Sequence, residues 1–284
     1  MSTTLAEPPR RLLLPGRGGR AGTSRQRLRR LALSLAGVVG FLLLWLVLGV
    51  TGVLDPNAIP GLPVTVRAFF SELGSADFWA ALGATLSGWG LGLILGATAG
   101  LLLGTLIGLS SVLQTSTAVV VEFCKTVPII AILPLAILVL GTSLVMKVVL
   151  VAFGVTWPLL VQTMYGVRAM DPVIRDTATA MGIGPVRRFF VVVLPSAAPF
   201  IATGLRVAAA GALILTVVVE LIAGGEGIGV EIATAGISGA PALPAMYARI
   251  IVAGILGFLM ATALTRGERW LLRWHEAYRP VTQA

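Results

Sequence analysis

Six apolar runs, each near the length of a membrane-crossing helix, constrain this chain more than any other feature. They lie at about 31–53, 82–108, 117–140, 144–165, 197–221 and 247–264. A bilayer core takes about 20 apolar residues per helix, because hydrocarbon offers a polar backbone nothing to bond with. Only 12% of residues are charged and 57% are hydrophobic, whereas soluble domains carry about 25% charged residues. The sequence therefore predicts an all-α polytopic membrane protein. The first run is too long for a signal-peptide core and no clear small-residue cleavage site is visible. It reads as an uncleaved anchor, although Arg10-Arg11 and Arg29-Arg30 superficially resemble a twin-arginine signal.

Charge placement orients the spans, because Lys and Arg collect in cytoplasmic loops. With both termini inside, eight basic residues precede the first span, four (Arg168, Arg175, Arg187, Arg188) separate spans four and five, and four (Arg266, Arg269, Arg273, Arg279) follow the sixth. The outside keeps little beyond Arg67, with Lys147 and Arg249 near span ends. The net charge of +9 thus reports topology in a lipid bilayer and not a nucleic-acid-binding face. Four segments follow: a basic cytoplasmic tail at 1–30, the first span with an external interfacial segment at 31–81, a core at 82–266, and a cytoplasmic tail at 267–284. In the external segment VTVRAFFSEL reads as a short interfacial helix, with Phe69, Phe70 and Trp79 as anchors. Cys124 and His275 have no sequence partners that would make a metal site or a nucleophile, so no metal is expected.

The second span carries Gly88, Gly92, Gly96, Gly100, Gly104 and Gly108. Four residues turn a helix by about 400°, so these glycines form one slowly drifting ridge. Such a ridge lets another helix approach closely, within the chain or from a second subunit. Pro128 and Pro134 interrupt the third span and Pro158 the fourth, each removing a backbone donor and favouring a kink. Glu122 and Lys125 stand at i, i+3, the spacing of a stabilising pair. Glu220, at the outer end of the fifth span, is costly in lipid and faces protein or water, as a pathway gate or an interfacial group. Pro128 and Arg206 are further pathway candidates, although Arg206 also fits snorkelling or binding to helix ends.

Between spans four and five lies DTATAMGIGPVRRFFVVVLP, within the loop 171–195. Asp171-Pro172 reads as a helix start, Gly182-Ile183-Gly184 as its end with positive φ available, and Pro185 as the start of a second helix. Small Thr177, Thr179 and Ala180 keep this elbow thin, and Arg187-Arg188 ahead of Phe189-Phe190 suits a boundary between water and lipid. A thin, bent helix of this kind suits insertion into another protein's groove.

Asp176, Ala178, Gly182, Val192, Leu194 and Pro195 match the EAA loop of ABC importer permeases: Glu-Ala-Ala, three residues, Gly, nine residues, Ile, one residue, Leu-Pro. Asp176 stands for Glu, Thr177 for the first Ala and Val192 for Ile. The resemblance runs from about Thr85 to Trp274, through TVPIIAILPLAIL, VVVELIAGGEGIGV and RGERWLLRW. It is strongest to permeases of the sulfonate, taurine, nitrate and pyrimidine-precursor importers. It implies a type I importer permease fold of six transmembrane helices in a bacterial inner membrane, in which Asp176, Thr177, Ala178, Gly182, Gly184, Arg187, Leu194 and Pro195 couple to an ATPase subunit dimer. It also implies a permease pair, an extracytoplasmic substrate-binding protein and a small polar or anionic solute. The chain lacks G-x-x-x-x-G-K-[ST], so ATP is expected on the partner and no cofactor on this chain. GGEGIG at 224–229 follows a membrane helix and not a strand, and reads as an outer loop. An ion-coupled secondary transporter or channel is the competing class, without a clear inverted repeat to support it.

Overall fold

The structure, a computed structural model, describes residues 21–273; His275, Arg279 and the basic segment 1–20 lie outside the described residues. Residues up to Leu54 form one compact unit and Asp55 onward another. The first unit is the helix α1 (Ala21–Val50), whose stretch Leu31–Val50 is apolar for 20 residues. At 1.5 Å per residue that stretch reaches about 30 Å, the depth of a bilayer core.

The second unit contains α2 (Leu62–Leu73), α3 (Ala76–Leu109), α4 (Ser111–Thr126), α5 (Ile129–Leu140), α6 (Leu144–Arg168), α7 (Pro172–Ala180) and α8 (Pro185–Arg188). A π turn (Phe189–Val193) then leads into α9 (Leu194–Ala223), followed by α10 (Ile228–Ile237), a 3₁₀ turn (Ala240–Ala242) and α11 (Leu243–Leu271). Among the described residues five helices are long and apolar enough to cross a membrane, and α4 with α5 makes a sixth if the pair counts as one span, bent by 85°.

The glycine ridge decides whether that pair crosses. A Cβ built on Gly88 would meet Lys147, on Gly92 Val151, on Gly96 Val155, on Gly100 Leu159, on Gly104 Thr163 and on Gly108 Val167. Both members of each contact advance by four, so α3 and α6 run parallel. They also lie nearly backbone to backbone: a Cβ on Gly96 would fall 2.5 Å from the Ala152 carbonyl oxygen. Two parallel helices need an intervening return, so α4 and α5 together carry the chain from one end of the bundle to the other. The ridge therefore serves packing within the chain. Helix α9 runs antiparallel to α6, with Gly166 against Phe200, Gly204 against Gln162 and Gly154 against Leu215. Ala97, Val151, Val155, Leu159, Ala208 and Ala212 form the core among these three helices.

Several expectations shift. The second span starts six residues before 82, where the Ser75 side chain accepts from Phe78 N. Phe69 of the presumed interfacial helix packs with Phe78 and Ile228, while Phe70 and Trp79 are exposed. GGEGIG at 224–229, read as an outer loop, gives way at Ile228 to α10. Its ten residues span about 15 Å, too short to cross.

Candidate functional site

At one end of the bundle, α7, α8 and the π turn form the elbow. Asp171 caps α7 by accepting from Val173 N at 2.8 Å, and Pro172 loses nothing at the first helical position. The helix stops in a Schellman motif: Ile183 N donates to Ala178 O at 3.1 Å and Gly182 N to Thr179 O at 3.0 Å. Gly182 has φ +73°, the left-handed conformation that favours glycine at this position. Gly184 does not share that role. Its φ of −59° is open to any residue, and it caps α8 in an extended conformation.

Asp176 and Arg187, both expected at the coupling contact, lie exposed on the elbow. Asp176 is exposed on α7 and neither caps the helix nor pairs with an arginine among the described residues. Arg187 is exposed, and its neighbour Arg188 holds the two arms together by donating to the Thr179 hydroxyl. Thr177 donates to the Val173 carbonyl at 2.7 Å, and Ala178 is buried, while Val173 and Met181 are exposed. The elbow joins α9 without a break. Pro195 has no N–H for the Val191 carbonyl and would crowd it, and the backbone widens into one π turn where Leu194 N reaches Phe189 O. Ser196 Oγ donates to Val192 O at 2.8 Å. The elbow is thereby continuous in backbone with a 30-residue helix.

The 85° break between α4 and α5 opens a cavity of about 400 Å³ against α6 and α9. Pro128 sits at the break as the cap of α5, with ψ 112°. Lys125, Thr126, Trp157, Pro158, Gln162 and Val207 contribute to the lining. The Trp157 indole N–H is buried without a partner among the described residues, a donor left available to an acceptor. Lys125 and Glu122 pair at 2.7 Å, both substantially exposed. Arg206 does not line this cavity. It pairs with Glu268 at 3.1 Å and ties α9 to α11.

At the end opposite the elbow, Glu220 is completely buried. Its carboxylate accepts from Lys147 Nζ at 2.6 Å, Thr85 Oγ1 at 2.9 Å and Gly229 N at 3.0 Å. Lys147 also donates to Glu226 O at 2.7 Å, and Thr85 Oγ1 accepts from Ile228 N at 2.9 Å. Both carboxylate oxygens accept and the ammonium makes two hydrogen bonds, the kind of satisfaction that burying such a pair requires. The knot ties α3, α6, α9 and the start of α10, so Glu220 is a packing link in this conformation. Lys147, noted in the sequence only for topology, is its partner. Among the described residues no group of three or more His, Cys, Asp or Glu is placed to hold a metal ion.

The family model described as "Binding-protein-dependent transport system inner membrane component" matches residues 92–273. A Bacillus subtilis chain named as an aliphatic sulfonates transport permease is 31% identical over 236 residues, 83% of this chain and 84% of its own. The taurine transport system permease protein of Escherichia coli is 27% identical over 252 residues, 87% of this chain and 91% of its own. The bicarbonate transport system permease protein of Synechocystis is 28% identical over 206 residues, 68% of this chain and 72% of its own. In fold, a bacterial ABC transporter that imports the acidic polysaccharide alginate superposes with a TM-score of 0.60 at 17% identity, over 88% of this chain and 99% of that one. An inward-facing MetNI methionine ABC transporter gives 0.54 at 19% identity, over 77% and 98%.

Proposed function

The chain belongs to the binding-protein-dependent transport system inner membrane components, and we propose that its elbow is the part on which an ATPase subunit pulls. It is a multi-pass membrane permease of an ABC importer with the type I fold. In the proposed assembly two copies form the pathway, both termini and the elbow face the cytoplasm, and each elbow sits in a cleft of an ATPase dimer. A substrate-binding protein docks at the opposite end. The chain is non-catalytic: ATP binds to the partner, and this chain binds no cofactor.

The observation that carries this reading is the continuity of the elbow with α9. The Schellman stop at Gly182, the Arg188 clamp and the π turn make the elbow one piece with a transmembrane helix. A motor bound there moves α9 against α6 without first unfolding a linker. ATP shifts the helices only as far as the ATPase dimer prefers one permease conformation over the other.

The cargo is a small polar or anionic solute of the sulfonate, taurine, nitrate or pyrimidine-precursor class. The names of relatives that carry sulfonates, taurine and bicarbonate support this. The cavity at the α4–α5 break belongs to the pathway, where Lys125 offers a charge and Trp157 an unused N–H.

Reconstitution with its ATPase subunit and substrate-binding protein tests the reading. Gly182→Val, strained by about 1–3 kcal/mol, is expected to leave insertion and ATP hydrolysis intact while uptake falls. Wild-type uptake by this variant would refute the coupling role. Trp157→Phe is expected to raise the KM of uptake with an unchanged melting temperature. An unaltered KM would remove that residue from the pathway.

A further inference from the structure

A second cavity, of about 530 Å³, lies between the elbow and the ends of α3 and α6. Arg168, Arg175 and Arg188 line it from three different elements. Its remaining wall is mostly apolar, including Leu109, Val167, Met170, Phe189 and Val193. None of the three guanidiniums makes an ion pair among the described residues, whose ion pairs involve Lys125, Lys147, Arg206 and Arg249. Asp171 gives one carboxylate oxygen to Val173 N, and neither it nor Asp176 pairs with any of them among the described residues. Among the described residues the one hydrogen bond given by the three guanidiniums is from Arg188 to the Thr179 hydroxyl.

We propose that this cavity binds the phosphodiester head group of an anionic phospholipid, and that the bound lipid braces the elbow against the ends of α3 and α6. Guanidiniums match phosphate oxygens with paired N–H donors, and three of the lining residues carry one. The cavity lies where two membrane-length helices end, at the depth of lipid head groups. An anion arriving there with an attached apolar body also satisfies the wall that three arginines alone do not explain. Exposed Phe190, Val186 and Val191 beside the cavity give the acyl chains a surface to follow. On α7, Pro172 and Arg175 line the cavity, while Val173 and, just past the helix, Met181 are exposed and remain free for a protein partner. The lipid site therefore does not compete with the elbow's proposed docking.

The test uses the purified permease alone, so it does not depend on the ATPase reading. Native mass spectrometry follows retention of phosphatidylglycerol against phosphatidylcholine. Phosphatidylglycerol is expected to be retained preferentially. Arg168→Gln and Arg175→Gln are each expected to weaken it about five-fold and the double variant about 25-fold, at the energy typical of one basic residue beside an anionic surface. Arg269→Gln, which removes the same charge from α11 outside the cavity, is expected to change nothing. Melting in lipid-free detergent checks folding, and Arg175→Lys, which keeps the charge and loses the fork, is expected to fall between wild type and Gln. Equal retention by wild type and the double variant would overturn the proposal, as would an equal loss in Arg269→Gln. Inorganic phosphate binding alone and displacing the lipid would identify free phosphate as the ligand and overturn it too. In a separate co-purification with the ATPase, loss of that protein by the double variant, with lipid retention unchanged, would assign the arginines to it instead and overturn the proposal.

Discussion

Lys147 and Glu220 show what a buried charge requires of its neighbours. Their side chains are 6% and 0% exposed, and each is stable there only while the other remains. Removing one partner of such a pair costs about 3–5 kcal/mol because the remaining charge is stranded. Lys147→Met and Glu220→Gln are each expected to lower the melting temperature strongly, and the double variant to lose less than the two losses added. Strict additivity would show that the two residues act independently. Gly227 belongs to the same knot: its φ is +139°, and a Cβ there would lie 2.2 Å from the Glu220 carboxylate. The sequence made Glu220 conspicuous, since an acid near a span end is expensive. It could not name Lys147, 73 residues away, because such a pairing exists only once α6 and α9 are packed. Arg188 with Thr179 and Arg206 with Glu268 were hidden for the same reason.

At the scale of the element, periodicity was legible and local backbone exceptions were less so. The four-residue glycine step announces a close helix contact, and its partner became clear only from α6. This contact makes a sharp prediction. Gly96→Ala and Gly104→Ala place a Cβ 2.5 Å from carbonyl oxygens of α6, whereas nothing lies within 4 Å of a Cβ at Gly83 or Gly90. The first pair is expected to destabilise by about 1–3 kcal/mol and the second pair to leave melting unchanged or slightly raised. Equal effects from all four would contradict the packing. The elbow was readable because Asp-Pro starts and glycine stops follow from local chemistry. Gly182 fits that rule and Gly184 does not, since the choice between two glycines depends on which one meets the last turn of α7. The π turn and α10 were missed. A π turn has no apolar period of its own, and α10, at ten residues, is apolar enough to hide beside a glycine-rich loop.

For the molecule as a whole, counting apolar runs predicted six spans, and the bent α4–α5 pair is where that count needed support. The parallel run of α3 and α6 supplies it, because the chain must return between them. Parallel α3 and α6 form a single slab, with α9 lying antiparallel on it and extending without interruption into the elbow. This geometry suits a rocking movement in which α9 shifts while the glycine-bonded slab stays whole. Where the elbow lies and what touches it therefore decide its coupling role. In a Cys124→Ser background, Met181→Cys places a thiol at an exposed elbow position. Cross-linking this variant to a thiol introduced in the co-expressed ATPase, in intact membranes with and without ATP, is the most direct measurement. The account predicts a specific cross-link whose yield changes with nucleotide, protected from impermeant reagents added outside. Labelling of that thiol from the outer face, with no ATPase adduct, would contradict it.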